Sequence, residues 1–417
     1  MKEKRIAVLG LGYVGLPLAV NLSFNYNVKG FDIDINRINE LRKGIDKTLE
    51  VDNAILKKQQ KTLLSITSNK KDLRGCNFFI ATVPTPIDKK NKPDFSALKG
   101  VCEIIKDLLK PGDIVVFEST VYPGATEDIC GHILEKNKKG LKSGEDFFLG
   151  YSPERVNPGD KIHTIDKINK VVSAQNKKVE KDLIEVYSKL TKGQVFLAKS
   201  IKVAEASKVI ENAQRDINIA FINEVAKICS KLNISTYDVL EASLTKWNFL
   251  NFEPGLVGGH CIGVDPYYLA EKAKKLNINP QVILSGRDTN DKMVEFIGKQ
   301  IVKKLSKKAQ CLFLGITFKE DVPDLRNSKS IKLMNFLKKK DLDVKFFDPF
   351  IDKFKSYKAL NSFKKPMKFD AIILSVPHAS IINKFHKDFL PLLKEGGFLF
   401  DIKGKLRKKN ITNYWSL

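Results

Sequence analysis

A cysteine flanked by glycines is the most chemically suggestive feature of the sequence. It lies in the segment Gly258-Gly259-His260-Cys261-Ile262-Gly263-Val264-Asp265. Glycines on both sides leave the backbone accessible and give a substrate room to approach the sulfur. His260 or a nearby cation could favour the thiolate, which is the nucleophilic form of the side chain. A single cysteine beside a histidine is more often structural than catalytic, but the glycines and the neighbouring Asp265 favour Cys261 as a covalent nucleophile.

A glycine-rich turn near the N-terminus is the second candidate site. The apolar residues 6–9 lead into Gly10-Leu11-Gly12-Tyr13-Val14-Gly15, a strand followed by the pattern G-x-G-x-x-G. In such a turn the first glycine permits the bend, the second lets the backbone approach a pyrophosphate, and the third lets a helix pack closely. Asp32 lies about 20 residues further on, where a carboxylate binds ribose hydroxyls and repels a 2′-phosphate. The pattern therefore predicts NAD, although the nearby Arg37 leaves NADP open.

Lys208 and Asn212 form the third candidate group. Residues 202–232 carry apolar side chains at helical spacing without glycine or proline, and this pattern predicts one long helix. Because they are four residues apart, Lys208 and Asn212 share a face of that helix. Such a pair is usually only solvated, so its spacing alone assigns no function. A helix of this length usually bridges two domains or buries one face against a partner chain.

Composition excludes several other classes of protein. The six cysteines are far apart and form no C-x-x-C pair, so we expect neither a metal site nor a disulfide framework. No segment approaches the roughly 20 apolar residues of a membrane helix, and the first apolar segment reads as a strand and not as a signal-peptide core, so we expect a cytoplasmic protein. The net charge of +24 comes from lysines scattered along the whole chain. This scatter indicates a solvated surface and no nucleic-acid partner.

The order of apolar segments predicts an α/β protein with two Rossmann-like domains and parallel sheets. Predicted strands at 5–9, 28–32, 78–82, 114–118 and 148–151 alternate with helical patterns, and 195–196 closes the first domain. Further helices are predicted at 236–243 and 266–276. The second α/β pattern has strands at 311–315, 343–347, 371–376 and 398–402, and a helix at 330–340. Its first turn, residues 315–319, lacks the dinucleotide glycine pattern, so the two domains are expected to hold different ligands.

These motifs, in this order, resemble the UDP-glucose/GDP-mannose dehydrogenase superfamily along nearly the whole chain. Within it, the sequence is similar to the UDP-N-acetylglucosamine or UDP-N-acetylgalactosamine 6-dehydrogenases of bacterial polysaccharide pathways such as capsule and O-antigen synthesis. The matching segments are 10–17 (GLGYVGLP), 83–86 (VPTP), 118–124 (ESTVYPG), 151–155 (YSPER), Lys208 with Asn212, 258–261 (GGHC) and 317–319 (TFK). The resemblance implies an NAD-binding domain at 1–198, a central helical domain at 199–300 that forms a homodimer, and a UDP-binding domain at 301–417.

The resemblance also implies a four-electron reaction at C6 of the UDP-sugar substrate. The alcohol is oxidised to an aldehyde, Cys261 adds to it as a thiohemiacetal, a second oxidation gives a thioester, and water releases the carboxylate. Lys208 and Asn212 then stabilise the oxyanion and Asp265 assists the water steps, while Glu154 and Thr120 match active-site positions. A soft nucleophile and fixed donors suit the charge that develops on oxygen.

Further contacts are carried over from the family position by position. The cofactor residues are Gly10, Gly12, Tyr13, Val14, Gly15, Asp32, Arg37, Thr85, Ser119, Thr120 and Arg326. The substrate residues are Glu154, Lys208, Asn212, Phe249, Asn251, Gly259 and Lys319. UDP-glucose enzymes usually read Cys-x-Pro-Lys-Asp where this chain has Cys-Ile-Gly-Val-Asp, and this difference favours an acetamido sugar. The usual Ser-Pro-Ser is Ser328-Lys329-Ser330 here.

Three alternatives remain open at the level of sequence. The substrate could be UDP-N-acetylmannosamine or UDP-glucose, because the stereochemistry at C2 and C4 depends on one or two contacts that the motifs do not specify. A two-electron dehydrogenase of the hydroxyacid or polyol type would need no nucleophilic cysteine. A non-catalytic nucleotide-binding protein would need none of Cys261, Lys208, Asn212 and Asp265, all of which are present.

Overall fold

The computed structural model describes residues 3–156, 160, 162–355, 357–360, 367–409 and 411–417. The backbone divides into two compact units. The first comprises Met1–Glu211 and Tyr267–Asn279, and the second comprises Asn212–Pro266 and Pro280–Leu417. The three domains predicted from the sequence, with boundaries at 198/199 and 300/301, stay a prediction.

A single sheet organises the first unit. Among the described residues its strands are β1 (Arg5–Leu9), β2 (Asn27–Phe31), β3 (Leu64–Thr67), β4 (Phe78–Ala81), β5 (Ile114–Phe117), β6 (Phe148–Tyr151), β7 (Lys170–Ala174) and β8 (Val195–Leu197), in the order β3-β2-β1-β4-β5-β6-β7-β8. Neighbouring strands run parallel, except that β6 and β7 are antiparallel. Leu9, at the end of β1, pairs with Phe31 on one side and Ala81 on the other. The carboxyl ends of the central strands therefore lie side by side, where ligand loops sit in doubly wound folds.

Helices cover both faces of this sheet, so its central strands are apolar throughout. Every residue of β4 and β5 is buried, as expected for parallel strands with two covered faces. The helices of this part of the chain are α1 (Gly15–Leu22), α2 (Ile35–Arg42), α3 (Asn53–Gln60), α4 (Ser96–Lys106), α5 (His132–Leu134) and α6 (Lys177–Leu190). Asp34 caps α2 by accepting hydrogen bonds from the amides of Asn36 and Arg37.

A smaller Rossmann-like sheet organises the second unit. Among the described residues its strands are β9 (Gln310–Leu314), β10 (Asp343–Phe347), β11 (Lys358–Ala359), β12 (Phe369–Leu374), β13 (Leu393–Asp401) and β14 (Tyr414–Ser416), all parallel, in the order β11-β10-β9-β12-β13-β14. Asp348 accepts the Ile316 amide at 2.7 Å, as Asp32 accepts the Leu11 amide at 2.8 Å. The two sheets thus repeat the same strand–turn–carboxylate arrangement, although only the first has the glycine pattern.

One long helix runs through both units. Helix α7 (Ile201–Leu232) belongs to the first unit up to Glu211 and to the second from Asn212. The remaining helices are α8 (Thr236–Ser243), α9 (Asp265–Lys275), α10 (Gln281–Lys304), α11 (Lys329–Lys338) and α12 (Ala379–Lys384). In the second unit, the buried Arg287 of α10 donates to Asp216 of α7 at 2.5 Å. Asn223 of α7 bonds both the amide and the carbonyl of Gly255, so the start of the cysteine loop is anchored to α7.

The predicted elements agree with the structure except at particular points. The α/β class, the parallel sheets of both domains and the long helix are confirmed. Strands β3, β7, β11 and β14 and helix α10 were not predicted. The antiparallel pairing of β6 with β7 also departs from the expected parallel arrangement. None of the helices in the described residues is long and apolar enough to cross a membrane.

Candidate active site

The glycine turn has the geometry that a dinucleotide requires. Gly10 has φ +99°, a value that favours glycine, and its amide donates to the Phe31 carbonyl at 2.8 Å. A Cβ at Gly15 would lie 1.8 Å from the Gly10 carbonyl oxygen, so α1 packs directly on the turn. A Cβ at Gly12 would meet no atom within 4 Å, so the turn is open at this residue. No side chain caps the start of α1 at Val14, and such a helix terminus attracts phosphate.

The two polar residues predicted beside the turn hold its backbone. The Asp32 carboxylate accepts the amides of Leu11 at 2.8 Å and Asp34 at 2.9 Å. The Arg37 guanidinium donates to the Leu11 carbonyl at 3.0 Å through Nε and pairs with Asp46 at 2.9 Å. Gly10, Gly12, Tyr13, Val14 and Gly15 therefore form one turn beside Asp32. This arrangement fits NAD, and the role of each residue in binding it stays a prediction.

Loops that follow β4 and β5 extend this edge of the sheet. The Ser119 hydroxyl donates to the Val83 carbonyl at 2.7 Å, and Thr120 beside it is half-buried. The buried Tyr268 hydroxyl lies 2.8 Å from the Thr85 carbonyl and 3.0 Å from the Pro86 carbonyl. Thr85, Ser119 and Thr120 therefore lie in loops held by hydrogen bonds at the ends of neighbouring strands, as expected of cofactor residues.

Glu154 belongs to a buried ionic cluster that the sequence analysis missed. The Lys170 ammonium, which is fully buried, lies 2.7 Å from one Glu154 oxygen and 3.1 Å from Glu118. Tyr187 donates its hydroxyl to Glu118 at 2.5 Å, and the amides of Arg155 and Val156 donate to Glu154. The four side chains come from the residue directly after β5, from β7, from α6 and from the loop after β6.

The pKa values of the two carboxyl groups in this cluster are shifted in opposite directions. Burial and the charge of Glu154 raise the pKa of Glu118 to about 7, although Lys170 opposes this shift. Burial also disfavours the charge of Glu154, but Lys170 and the amides of Arg155 and Val156 outweigh burial and lower its pKa. Burial disfavours the Lys170 cation, and the two carboxylates outweigh it and raise the Lys170 pKa. Glu154 is therefore a fixed carboxylate, whereas Glu118 is the carboxyl group of this pair that binds a proton more readily.

The first part of α7 is fastened to the loops of the first unit. The Arg155 guanidinium forms an ion pair with Glu211 and donates to the Ser207 hydroxyl at 3.2 Å. The buried Glu205 carboxylate accepts the amides of Gly124 at 2.5 Å and Thr126 at 2.8 Å. Burial raises the pKa of Glu205 to about 7 despite these bonds. Lys208 lies between these anchors and is buried.

In the second unit, Asn212 and Asp265 flank the cysteine loop. The Asn212 side-chain amide donates to the Asp265 carboxylate at 2.6 Å, and both residues are buried. The Asp265 amide in turn donates to the Cys261 carbonyl at 2.8 Å. Cys261 is half-buried, whereas the other five cysteines are buried. Asn212, Asp265 and Cys261 thus form one connected group, and Cys261 is the most exposed cysteine of the chain.

The glycines next to Cys261 are required by close packing. Gly259 has φ +79°, and a Cβ there would lie 2.7 Å from the Phe318 ring. A Cβ at Gly258 would lie 2.8 Å from the Asn327 carbonyl, and the Asn327 side chain donates to the Gly259 carbonyl at 2.9 Å. His260 stands edge-on to Phe318 with ring centroids 5.6 Å apart. The segment Phe318–Asn327 therefore shapes the cysteine loop.

The remaining predicted substrate and cofactor residues lie in less enclosed positions. Phe249 and Lys319 are half-buried, and Asn251 is exposed. Arg326 is exposed, and its guanidinium bonds the Asp324 carboxylate within the same loop.

The described residues contain no group of three histidine, cysteine or acidic side chains that could hold a metal ion.

Comparison with known proteins identifies the family. Three domains described for the UDP-glucose/GDP-mannose dehydrogenase family match the chain: the NAD binding domain at residues 4–191, the central domain at 202–292 and the UDP binding domain at 312–408. Protein CapL of Staphylococcus aureus is 50% identical over 98% of both chains. The UDP-N-acetyl-D-glucosamine 6-dehydrogenase of Pseudomonas aeruginosa is 48% identical over 97% of both. The structure of a UDP-N-acetylmannosamine dehydrogenase from Pyrococcus horikoshii superposes with a TM-score of 0.87 at 28% identity, covering 99% of this chain and 98% of that one. The chain belongs to the UDP-glucose/GDP-mannose dehydrogenase family and is an NAD-dependent UDP-sugar dehydrogenase.

Proposed function

We propose that the enzyme oxidises C6 of UDP-N-acetylglucosamine or UDP-N-acetylgalactosamine to the carboxylate in the cytoplasm, for surface polysaccharide synthesis. The 48% identity to a relative named for UDP-N-acetyl-D-glucosamine supports an acetamido sugar. Relatives named for UDP-N-acetyl-D-mannosamine are 32% or 33% identical. The Cys-Ile-Gly-Val-Asp segment supports the same choice against UDP-glucose.

The connected group of Asn212, Asp265 and Cys261 is the observation that carries the chemistry. The glycine turn would hold NAD, which would supply the hydride acceptor for both oxidations at C6, that of the alcohol and that of the adduct on Cys261. Between these oxidations the Cys261 sulfur forms a bond to the aldehyde carbon, and water finally breaks the thioester to give the carboxylate and the free thiol. This order splits a difficult oxidation into steps that a sulfur nucleophile makes easier.

The other residues predicted to be catalytic each have a place in this scheme. The Lys208 ammonium stabilises the negative charge that develops on the C6 oxygen. The Asn212 side-chain amide helps to hold the same oxygen in place. Asp265, fixed by Asn212, takes protons from the thiol or from water. Glu154 remains ionised because of Lys170 and accepts a hydrogen bond from the attacking water, with Thr120 as a second partner.

The proposal includes a dimer through α7. Val203, Ile210, Phe221, Ile228 and Leu232 are 49%, 52%, 61%, 53% and 62% exposed along this helix. An exposed apolar stripe of this kind is typical of a helix that packs against a second copy.

A panel of four UDP-sugars tests the substrate. NADH formation is measured with UDP-N-acetylglucosamine, UDP-N-acetylgalactosamine, UDP-N-acetylmannosamine and UDP-glucose, and the acid product is identified by mass spectrometry. We expect the highest kcat/KM with one of the first two sugars. A preference for either of the others would overturn the substrate assignment, and inactivity with all four would favour another nucleotide sugar or a binding role.

A further inference from the structure

The Arg37 guanidinium, which the sequence left as a potential ligand of a 2′-phosphate, is held in place by the protein itself. Its Nε donates to the Leu11 carbonyl at 3.0 Å, and one terminal nitrogen pairs with the Asp46 carboxylate at 2.9 Å. Only 12% of the Arg37 side chain is exposed. The cation therefore lies against the Leu11 carbonyl of the glycine turn, and its charge is balanced by the buried Asp46.

Asp46 is fixed in turn by the loop that follows it. One carboxylate oxygen accepts the Thr48 amide at 3.0 Å and the Thr48 hydroxyl at 2.7 Å. The other accepts the amides of Glu50 and Val51, both at 3.0 Å. Burial favours the neutral acid, but these bonds and the Arg37 charge outweigh burial and lower the pKa of Asp46. The carboxylate is thus ionised and immobile at neutral pH.

The same contacts orient the backbone of the turn. The Leu11 amide is held by Asp32 at 2.8 Å, and the Leu11 carbonyl is held by Arg37. In a trans peptide the N–H of the next residue points opposite to the carbonyl, so the Gly12 N–H is directed away from Arg37. The space beside Gly12 is open, because a Cβ built on this residue would meet no atom within 4 Å. Arg37 therefore sets the direction of the Leu11–Gly12 peptide, which a pyrophosphate approaches.

From this geometry we infer that Asp46 determines the preference for NAD over NADP by keeping Arg37 bound to the Leu11 carbonyl. NADP differs from NAD by a phosphate on the 2′-hydroxyl of the adenosine ribose, close to Asp32. This phosphate needs a cation, and the Arg37 guanidinium is already engaged by Asp46 and the Leu11 carbonyl. Arg37 is a positioning residue for the turn, and Asp46 is the specificity-determining residue.

Equilibrium binding tests this assignment without relying on turnover. Dissociation constants for NAD and NADP are measured by calorimetry, with competition against NAD where NADP binds too weakly for direct titration. Four proteins are compared: wild type, Asp46→Asn, Arg37→Met and the double variant. In Asp46→Asn we expect the ratio of the NADP constant to the NAD constant to fall about tenfold or more, because a partly buried cation loses its partner charge.

The two other variants separate this account from a general change of charge. Arg37→Met is expected to weaken NAD and NADP to the same extent, so their ratio stays as in the wild type. The double variant is expected to show that same ratio, because the gain for NADP requires the guanidinium. An unchanged ratio in Asp46→Asn, or a gain that persists in the double variant, would overturn the inference. If thermal melting shows that Asp46→Asn does not fold, Arg37→Met still decides, since a selective loss of NADP binding would contradict the held position of Arg37.

Discussion

Replacing Lys170 by Met tests the ionic cluster around Glu154. Lys170 is fully buried between two carboxylates at 2.7 and 3.1 Å. Methionine has a similar length and no charge, so Glu118 and Glu154 would be left in the interior without their ammonium partner. Breaking a buried ion pair by removing one partner costs about 3–5 kcal/mol. We expect a loss of this size in the free energy of unfolding at pH 8.

The pH dependence of this loss follows from proton binding. In the wild type Lys170 helps to lower the pKa of Glu154, so the folded state keeps this carboxylate ionised. Without Lys170, burial raises the Glu154 pKa, so above about pH 4.3, the ordinary glutamate pKa, the folded variant binds one more proton than the folded wild type. Since stability falls with rising pH where the folded state binds more protons, the variant loses about 1.4 kcal/mol against wild type for each pH unit in that window. The deficit against wild type is therefore smallest near pH 5.

Urea unfolding at pH 5, 6, 7 and 8 measures this difference. Lys181→Met is the control, because Lys181 is an exposed lysine on α6, and its substitution is expected to change stability by less than about 0.5 kcal/mol. A deficit in Lys170→Met that is below about 1 kcal/mol, or equal at every pH, would contradict the assigned charges. The NADH assay on the same protein at pH 8 is expected to show reduced turnover because, without Lys170, burial disfavours the charge of Glu154.

Three further predictions concern the cysteine loop and α7. Cys261→Ser is expected to lower production of the acid about a thousandfold or more while the dissociation constant of NAD stays unchanged, so full activity in this variant would favour a two-electron mechanism. Gly259→Ala is expected to destabilise the protein by about 2–4 kcal/mol, because it combines φ +79° with a Cβ 2.7 Å from the Phe318 ring. Gly396→Ala is the matched control, since φ is +73° there and no atom lies within 4 Å; an equal loss in both variants, measured by urea unfolding, would show that packing against Phe318 has no effect. Phe221→Asp is expected to convert a dimer into monomers in sedimentation experiments, and a dimer that persists in this variant would exclude α7 as the interface.

Regular patterns allowed much of the fold to be predicted. The strands at the centre of each sheet are continuous apolar segments, and α7 has 32 residues without an internal glycine or proline. The missed strands have weaker signals: β7 includes a buried lysine and a serine, and β11 has only two residues. A lysine within a strand normally indicates an exposed position, and only the carboxylates that meet Lys170 in the folded chain reverse that expectation.

The site could be predicted where its residues follow one another in sequence. The glycine turn is recognisable because strand, turn and helix are consecutive, and Asp32 follows at a known spacing. The bond between Asn212 and Asp265 joins residues far apart along the chain, and local spacing carries no information about it. Likewise the sequence shows Arg37 near the turn but not Asp46, whose carboxylate decides where the guanidinium lies. Long-range pairs of polar residues are therefore the part of this site that required the structure.

The stoichiometry of cofactor reduction tests the central claim most directly. The enzyme converts a limiting, known amount of each acetamido UDP-sugar to completion with excess NAD. The NADH formed is then quantified by its absorbance. Two oxidations at C6 with Cys261 as the nucleophile predict close to two NADH for each sugar converted to the acid. A ratio close to one, with the aldehyde as the final product, would contradict the proposed four-electron reaction.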